Sequence, residues 1–449
     1  MNFHAAEKAW QTYRGEWTAK QVAHLYRRAG FAASPSQLAE GEKQSAEKCV
    51  DALFQVEEDQ AKQFEKQMKT MGATILASRA TRSLSAWWLY RMRYTPDQLL
   101  EKTCLFWHGH FATSAEKVDD PQSMLNQNRI LRDGSLGKFE PLVQQIATDP
   151  AMLIYLDSTD NRKTRPNENF ARELMELFCL ETGNYSEKDI KELSRCFTGW
   201  EVRRKRFRFN PYQHDEGTKT FLGSSGKYDG KKAIQVVLEQ EAAPRFLAKK
   251  LYRYFVADEP LPEKTLLEPL ARQLRQTDFD IGKCIRTILC SNYFYSNKAY
   301  ARKIKSPIEF ALGLMRGLNA SANLQQLADR LEQLGQIPFY PPNVKGWDGG
   351  RTWINSSTLL GRANLVRDLV HGSNTKWRDG DLARWLSKND MRDEKSAVEF
   401  ILKVFVATEI PSAAKAKLVR LAKDQGIKTH SSVADLVHAI SLLPEFQLG

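Results

Sequence analysis

The chain has 449 residues, 42% of them hydrophobic and 27% charged, with a formal net charge of +12. That much apolar material offsets the entropy of ordering the chain and excludes a disordered protein. No run approaches the ~20 apolar residues of a membrane-spanning helix. The opening stretch MNFHAAEKAWQTYRGEWTAK has no apolar core of a secretory signal. It predicts a cytoplasmic protein, unless a leader preceded Met1 or a partner carries the chain out.

Helical periodicity runs through nearly the whole chain. Residues 18–29 open on Thr18 as cap and close at Gly30. Ser34 and Pro35 start the next helix, and Thr95 and Pro96 repeat that grammar ahead of DQLLEKTCLFW. Apolar residues then recur at helical spacing over 139–157, 167–182, 186–199, 231–257, 262–275, 280–292, 307–318, 356–371, 395–406, 412–423 and 432–443. Between about 200 and 230 the pattern breaks. Alternation in RFRF, the short KTFLG and several glycines predict a small β-hairpin or ordered loop there. A second irregular stretch, IPFYPPNVKGWDGGRTWINSS (337–357), is too aromatic for a linker and predicts a fixed loop. The fold class is therefore mainly α: a large helical body in two lobes with a β-hairpin/loop insertion. The N-terminal lobe covers 1–199, the insertion 200–230 and the C-terminal lobe 231–449, together one compact unit. Both irregular stretches are expected at or near the seam.

Three motifs carry groups capable of chemistry. In LFWHGHF, Gly109 reads as the stop of the helix that begins at Pro96. On a continuous helix, residues two apart point ~200° from each other; with a break at Gly109, His108 and His110 can turn to one side. The helix end would favour a charged His108. The alternative is two core rings bonded to backbone carbonyls beneath Phe106, Trp107 and Phe111. In NENFARELMELF, helical spacing puts Asn169, Arg172, Glu173 and Glu176 on one face beside a stripe of Phe170, Leu174, Leu177 and Phe178. Such a face is either an active site or a buried ion network. In HDEGTK, His214 and Asp215 can ligate a metal or form a base and its orienting group, with Lys219 nearby; turn chemistry explains them equally.

Other features are weaker. In RKIKSPIEF, Ser306, Pro307 and Glu309 are capping grammar, preceded by Arg302, Lys303 and Lys305. Trp347 and Trp353 can form a platform for a sugar or wedge their loop onto the helices. The basic run of Arg203, Arg204, Lys205, Arg206 and Arg208 can hold phosphate or sulfate, or simply guard a hairpin edge. No zinc-finger, RNA-recognition or helix-turn-helix signature points to nucleic acid. Cys49, Cys104, Cys179, Cys196, Cys284 and Cys290 form no C-x-x-C pair and read as buried reduced thiols. Phosphate-loop, dinucleotide, H-E-x-x-H and G-x-S-x-G motifs are absent.

Taken in order, AHLYRRAGFAASPSQL, FWHGHFATS, NENFARELMELF, YSEKDIKELSRCFTGW, HDEGTKTFLG, FLAKKLYRYFV, KSPIEFALGLMR, PPNVKGWDGGRTWINSSTLLGRAN and LPEFQL give the chain a resemblance. It resembles the bacterial family called domain of unknown function eighteen hundred, from about residue 20 to the end. The resemblance implies no agreed activity and carries over no catalytic residue. It implies a partner, since members are often encoded beside a protein resembling sulfatases and alkaline phosphatases. Many members are larger and exported.

Two functions follow. The first is an enzyme of hydrolytic type acting on an anionic or glycan-like substrate. His108, His110, Glu173, His214 and Asp215 would bind a divalent metal such as Zn, Mn or Fe, or His110, Glu173 and Glu176 would do metal-free acid–base work. Arg172 and Lys219 would steady negative charge. The second is a non-catalytic helical scaffold or escort of the sulfatase/phosphatase-like partner.

Overall fold

Side-chain caps decide where the helices begin. Thr18, Ser34, Ser45, Asp97, Ser186, Asp229, Asp280, Ser306 and Asn355 each accept a backbone N–H of the first turn. In the computed structural model, which describes residues 3–449, 61% of the chain is helical. The described residues form 24 α-helices and three short two-stranded sheets. The first two residues of the opening stretch lie outside those described.

Boundaries differ from the periodicity at specific residues. The 139–157 stretch is two helices, Phe139–Ala147 and Pro150–Tyr155, because Pro150 has no N–H and Asp149 caps afresh. The 231–257 stretch divides into Gly230–Glu239 and Ala242–Phe255. Asp97, not Thr95, caps the helix Gln98–His110. The long helix Glu58–Ser78 and the helices Ser83–Tyr94 and Pro121–Asp133 complete the first half.

The 200–230 insertion is two hairpins. Trp200–Arg203 pairs antiparallel with Arg206–Phe209. Its two-residue turn holds Arg204 and Lys205 at φ 50 and 60, the left-handed pair that matches strand twist. Lys219–Phe221 pairs with Ser224–Gly226.

One hydrophobic core runs from Trp10 to Phe446, drawing on residues before and after the insertion. Buried cations tie distant segments by their carbonyls. Arg28 donates to Val256 and Ala299 at 2.5 and 3.0 Å. Lys305 donates to Phe405 and Phe446 at 3.0 and 2.7 Å, and Arg316 to Ala32 and Arg93 at 3.0 and 3.1 Å. Most of these carbonyls lie at or just past helix C-termini, where no intrahelical partner exists. All six cysteines are buried and free. No helix among the described residues is long and apolar enough to cross a membrane.

Candidate functional site

The helix Gln98–His110 continues through Gly109 and is closed by Phe111, whose N–H donates to the Trp107 carbonyl at 2.8 Å. Gly109 is therefore not the stop that its composition suggested, and the two imidazoles diverge as helix geometry requires. His108 Nε2 accepts the Phe339 N–H at 3.0 Å, beside the Trp88 ring. Burial pushes its imidazole down to about 3, so the expected charge at the helix end does not form. His110 Nε2 donates to the Phe178 carbonyl at 3.0 Å. Its Nδ1 is buried without a partner. Burial, and then the Lys250 charge, hold this ring well below the usual imidazole range.

The acidic helix is α from Glu168 to Glu173 and π from Leu174 to Cys179. Leu180 N–H reaches back five residues to the Met175 carbonyl at 2.9 Å. That wide turn shifts Glu176 away from the single face drawn by regular helical spacing. Arg172 pairs with Glu187 through two bonds of 2.8 Å and with Glu168 at 3.4 Å. Asn169 donates to the Leu156 carbonyl, and Glu176 accepts from the Tyr185 hydroxyl at 3.4 Å. Glu173 is half-buried. Burial, then Glu176, raise its carboxyl; Arg172 and Lys345 oppose them.

HDEGTK is a knot that fastens the hairpins to the helix Glu187–Cys196. His214 Nδ1 donates to the Thr198 carbonyl at 2.8 Å. Asp215 holds Arg195 at 2.8 and 3.3 Å. Lys219, fully buried, donates to the carbonyls of Asp215 and Tyr228. Among the described residues no three His, Cys, Asp or Glu side chains are grouped as a metal ion would need. The ligand set His108, His110, Glu173, His214 and Asp215 is not assembled, because most of its members are committed to separate partners.

Another set of groups does converge. A cleft of about 160 Å³ opens where four segments meet: the end of the FWHGHF helix, the helix Ala242–Phe255, residues 303–309 and the loop 345–353. The loop docks through glycine. Gly346 has φ 75, and a Cβ there would lie 2.2 Å from the Gly109 carbonyl oxygen. Trp347 and Trp353 wall the cleft, with Trp347 also packed 5.6 Å from His108. Two of its acids are satisfied. Asp258 takes Lys303 and the Ile304 N–H, both at 2.9 Å. Glu309 takes Lys102 and the Ser306 N–H. Burial would raise the Glu309 carboxyl, but Lys102 and Lys303 outweigh it and hold it at about 2. Lys250, Arg253 and Lys345 line the same cleft, and among the described residues none of their side chains makes an ion pair or a hydrogen bond. The Lys250 ammonium sits 5.1 Å from the Phe246 ring centre, and Arg253 Nε is buried without a partner. Burial, then Arg253, lower the Lys250 amine to about 8.

A family model described as "Protein of unknown function (DUF1800)" matches residues 24–448. The chain belongs to that family. A search of the curated proteins finds no match, and neither does one of the solved structures. Four of the stretches that carry the DUF1800 resemblance line the cleft: FWHGHFATS, FLAKKLYRYFV, KSPIEFALGLMR and the WDGG loop. A fifth, NENFARELMELF, receives the His110 bond through Phe178.

Of the side chains expected from the sequence, His110, Trp347, Trp353, Ser306, Glu309 and Lys303 line this DUF1800 cleft. Glu173 is in electrostatic reach of Lys345 at its rim. His108, Arg172, Glu176, His214, Asp215 and Lys219 do not line it. Lys250 and Arg253 were missed. Their signal was two cations one turn apart, next to Lys249 and Tyr254, in the largely apolar word FLAKKLYRYFV.

Proposed function

We propose that the cleft binds a ligand bearing a phosphate, sulfate or carboxylate group, and that the protein is an acid–base enzyme for such a substrate. One observation carries this reading: three cations face one concavity with no ion pair among the described residues, while the buried Asp258 and Glu309 beside them are already neutralised. Lys250 and Arg253 are half-buried and unpaired, which is costly, and an anion between them and the exposed Lys345 removes that cost. Around the cleft Lys102, Lys250, Arg253, Lys303 and Lys345 outnumber Asp258, Glu309 and the exposed Asp348, while Glu181 is paired with Lys249 and Glu173 stands at the rim. The tryptophans add a flat wall for a sugar-like body.

Lys250 exchanges its proton near neutral pH and is the leading acid–base group. Glu173, with its raised carboxyl, and His110, with a bare Nδ1, are the others. Arg172, Glu176 and Lys219 act in this reading as positioning residues of the helix and hairpins around them. Partnership with a sulfatase- or alkaline-phosphatase-like protein fits, since such a protein handles anionic esters of the kind the cleft would hold.

Calorimetric titration with inorganic phosphate and sulfate at low salt tests the reading. Saturable binding is expected. Arg253→Gln or Lys345→Gln should each weaken it about tenfold or more, because a hydrogen bond to a charged group contributes roughly 1.5–3 kcal/mol. Absence of binding, or unchanged affinity in the double variant, would refute it.

A further inference from the structure

Lys250 differs from every other cation around the cleft. Lys102 and Lys303 are held by Glu309 and Asp258, Arg253 carries a guanidinium and no amine, and Lys345 is exposed. Among the described residues the Lys250 amine has no hydrogen bond and no ion pair; it lies over the Phe246 ring at 5.1 Å. Arg253 stands one turn along the same helix. The other charged groups facing it are Lys249 and Glu181, which are spent on each other at 2.6 Å. His110 shares the wall and is neutral. A lysine set in an apolar wall beside a second cation is the arrangement that frees an amine lone pair.

We propose that Lys250 is a nucleophilic amine that forms an imine with an aldehyde or ketone entering the cleft. That the carbonyl compound also carries an anionic group rests on the function proposed above. The amine nitrogen bonds to the carbonyl carbon, and the C=O pair moves to oxygen. The nitrogen gives up both its protons to that oxygen, which leaves as water, and the C=N bond remains. No oxidant or reductant takes part. Arg253 and Lys345 would hold the anionic end. The lowered protonation point of Lys250 leaves a far larger free-amine fraction at neutral pH than an exposed lysine has.

The probe is pyridoxal 5′-phosphate, added to the full chain at pH 7.5, reduced with borohydride and mapped by peptide mass spectrometry. Lys250 should be labelled at least about tenfold faster than exposed lysines such as Lys62, with the rate rising through about pH 8. Lys250→Arg should lose that label while far-ultraviolet circular dichroism keeps the helical amplitude of the unmutated chain. Labelling of Lys250 no faster than Lys62, in protein that binds phosphate calorimetrically, would overturn the inference and leave the anion-binding reading intact. Equal labelling by pyridoxal lacking the phosphate, with no protection by inorganic phosphate, would uphold the amine and remove the anion-binding reading.

Discussion

His24, His108 and His110 are buried imidazoles that each make one hydrogen bond, to the Phe294 carbonyl, the Phe339 N–H and the Phe178 carbonyl. For His108 the bond is an obligation: a buried backbone N–H without an acceptor is expensive. His108→Phe should therefore cost about 1–3 kcal/mol in chemical denaturation, and no loss would show that water replaces the ring. Glu101 is the acidic counterpart, gripped by Arg91 and Arg132 at 2.5 and 2.6 Å. Burial alone would raise its carboxyl, but Arg132 and Arg91 bring it to about 2. Glu101→Gln strands two buried guanidinium groups and should destabilise the fold by roughly 3–5 kcal/mol. The sequence showed that these residues were polar and sat in apolar surroundings. It did not show their partners, which for Glu101 include Arg132, 31 positions away. The sequence left His108 and His110 open between a working pair and two rings bonded to carbonyls. His110 bonds a carbonyl but His108 accepts an N–H. Gly109 misled as a stop, because a helix ends where its carbonyls find other donors.

At the scale of elements, the capping rules were legible almost residue by residue, since Ser, Thr, Asp and Asn bond locally. The wide turn after Glu173 was not, because an i→i+5 bond leaves no mark in the spacing of apolar residues. The element on which the cleft depends is the loop 345–353. Its seat is the contact between Gly346 and the Gly109 carbonyl. Gly346→Ala puts a methyl against that oxygen and forces a residue with φ 75 out of its easy range. The loop should lift, carrying Lys345 and Trp347 away. Phosphate affinity should fall at least tenfold while far-ultraviolet circular dichroism keeps its helical amplitude. Unchanged affinity would mean that the loop does not shape the site.

Across the whole molecule, burial of neutral histidines links stability to pH. Each has a folded-state value below its unfolded ~6.5, so the unfolded chain binds more protons below that point. Their contribution is complete above pH ~6.5 and is lost as pH falls, at up to about 4 kcal/mol per pH unit for three rings. Glu101 and Glu309, both depressed to about 2, add a second loss below pH ~4.3. Melting temperature should be flat from pH 8 to 7 and drop from 6.5 to 5; a flat profile to pH 5 would mean the rings stay solvated. The mainly α class was readable from periodicity. The cleft was not, because Lys250 and Lys345 lie 95 positions apart and meet only through the folding of four segments, and a lone lysine in a helix looks like a solvated one.

The central claim is that Lys250, Arg253 and Lys345 form an anion site. A crystal structure grown with tungstate, located by its anomalous scattering, tests it most directly. The anion is predicted between those three side chains, against Trp347. Anomalous peaks confined to outer surfaces such as the Arg203–Arg208 hairpin, with only water in the cleft, would contradict it.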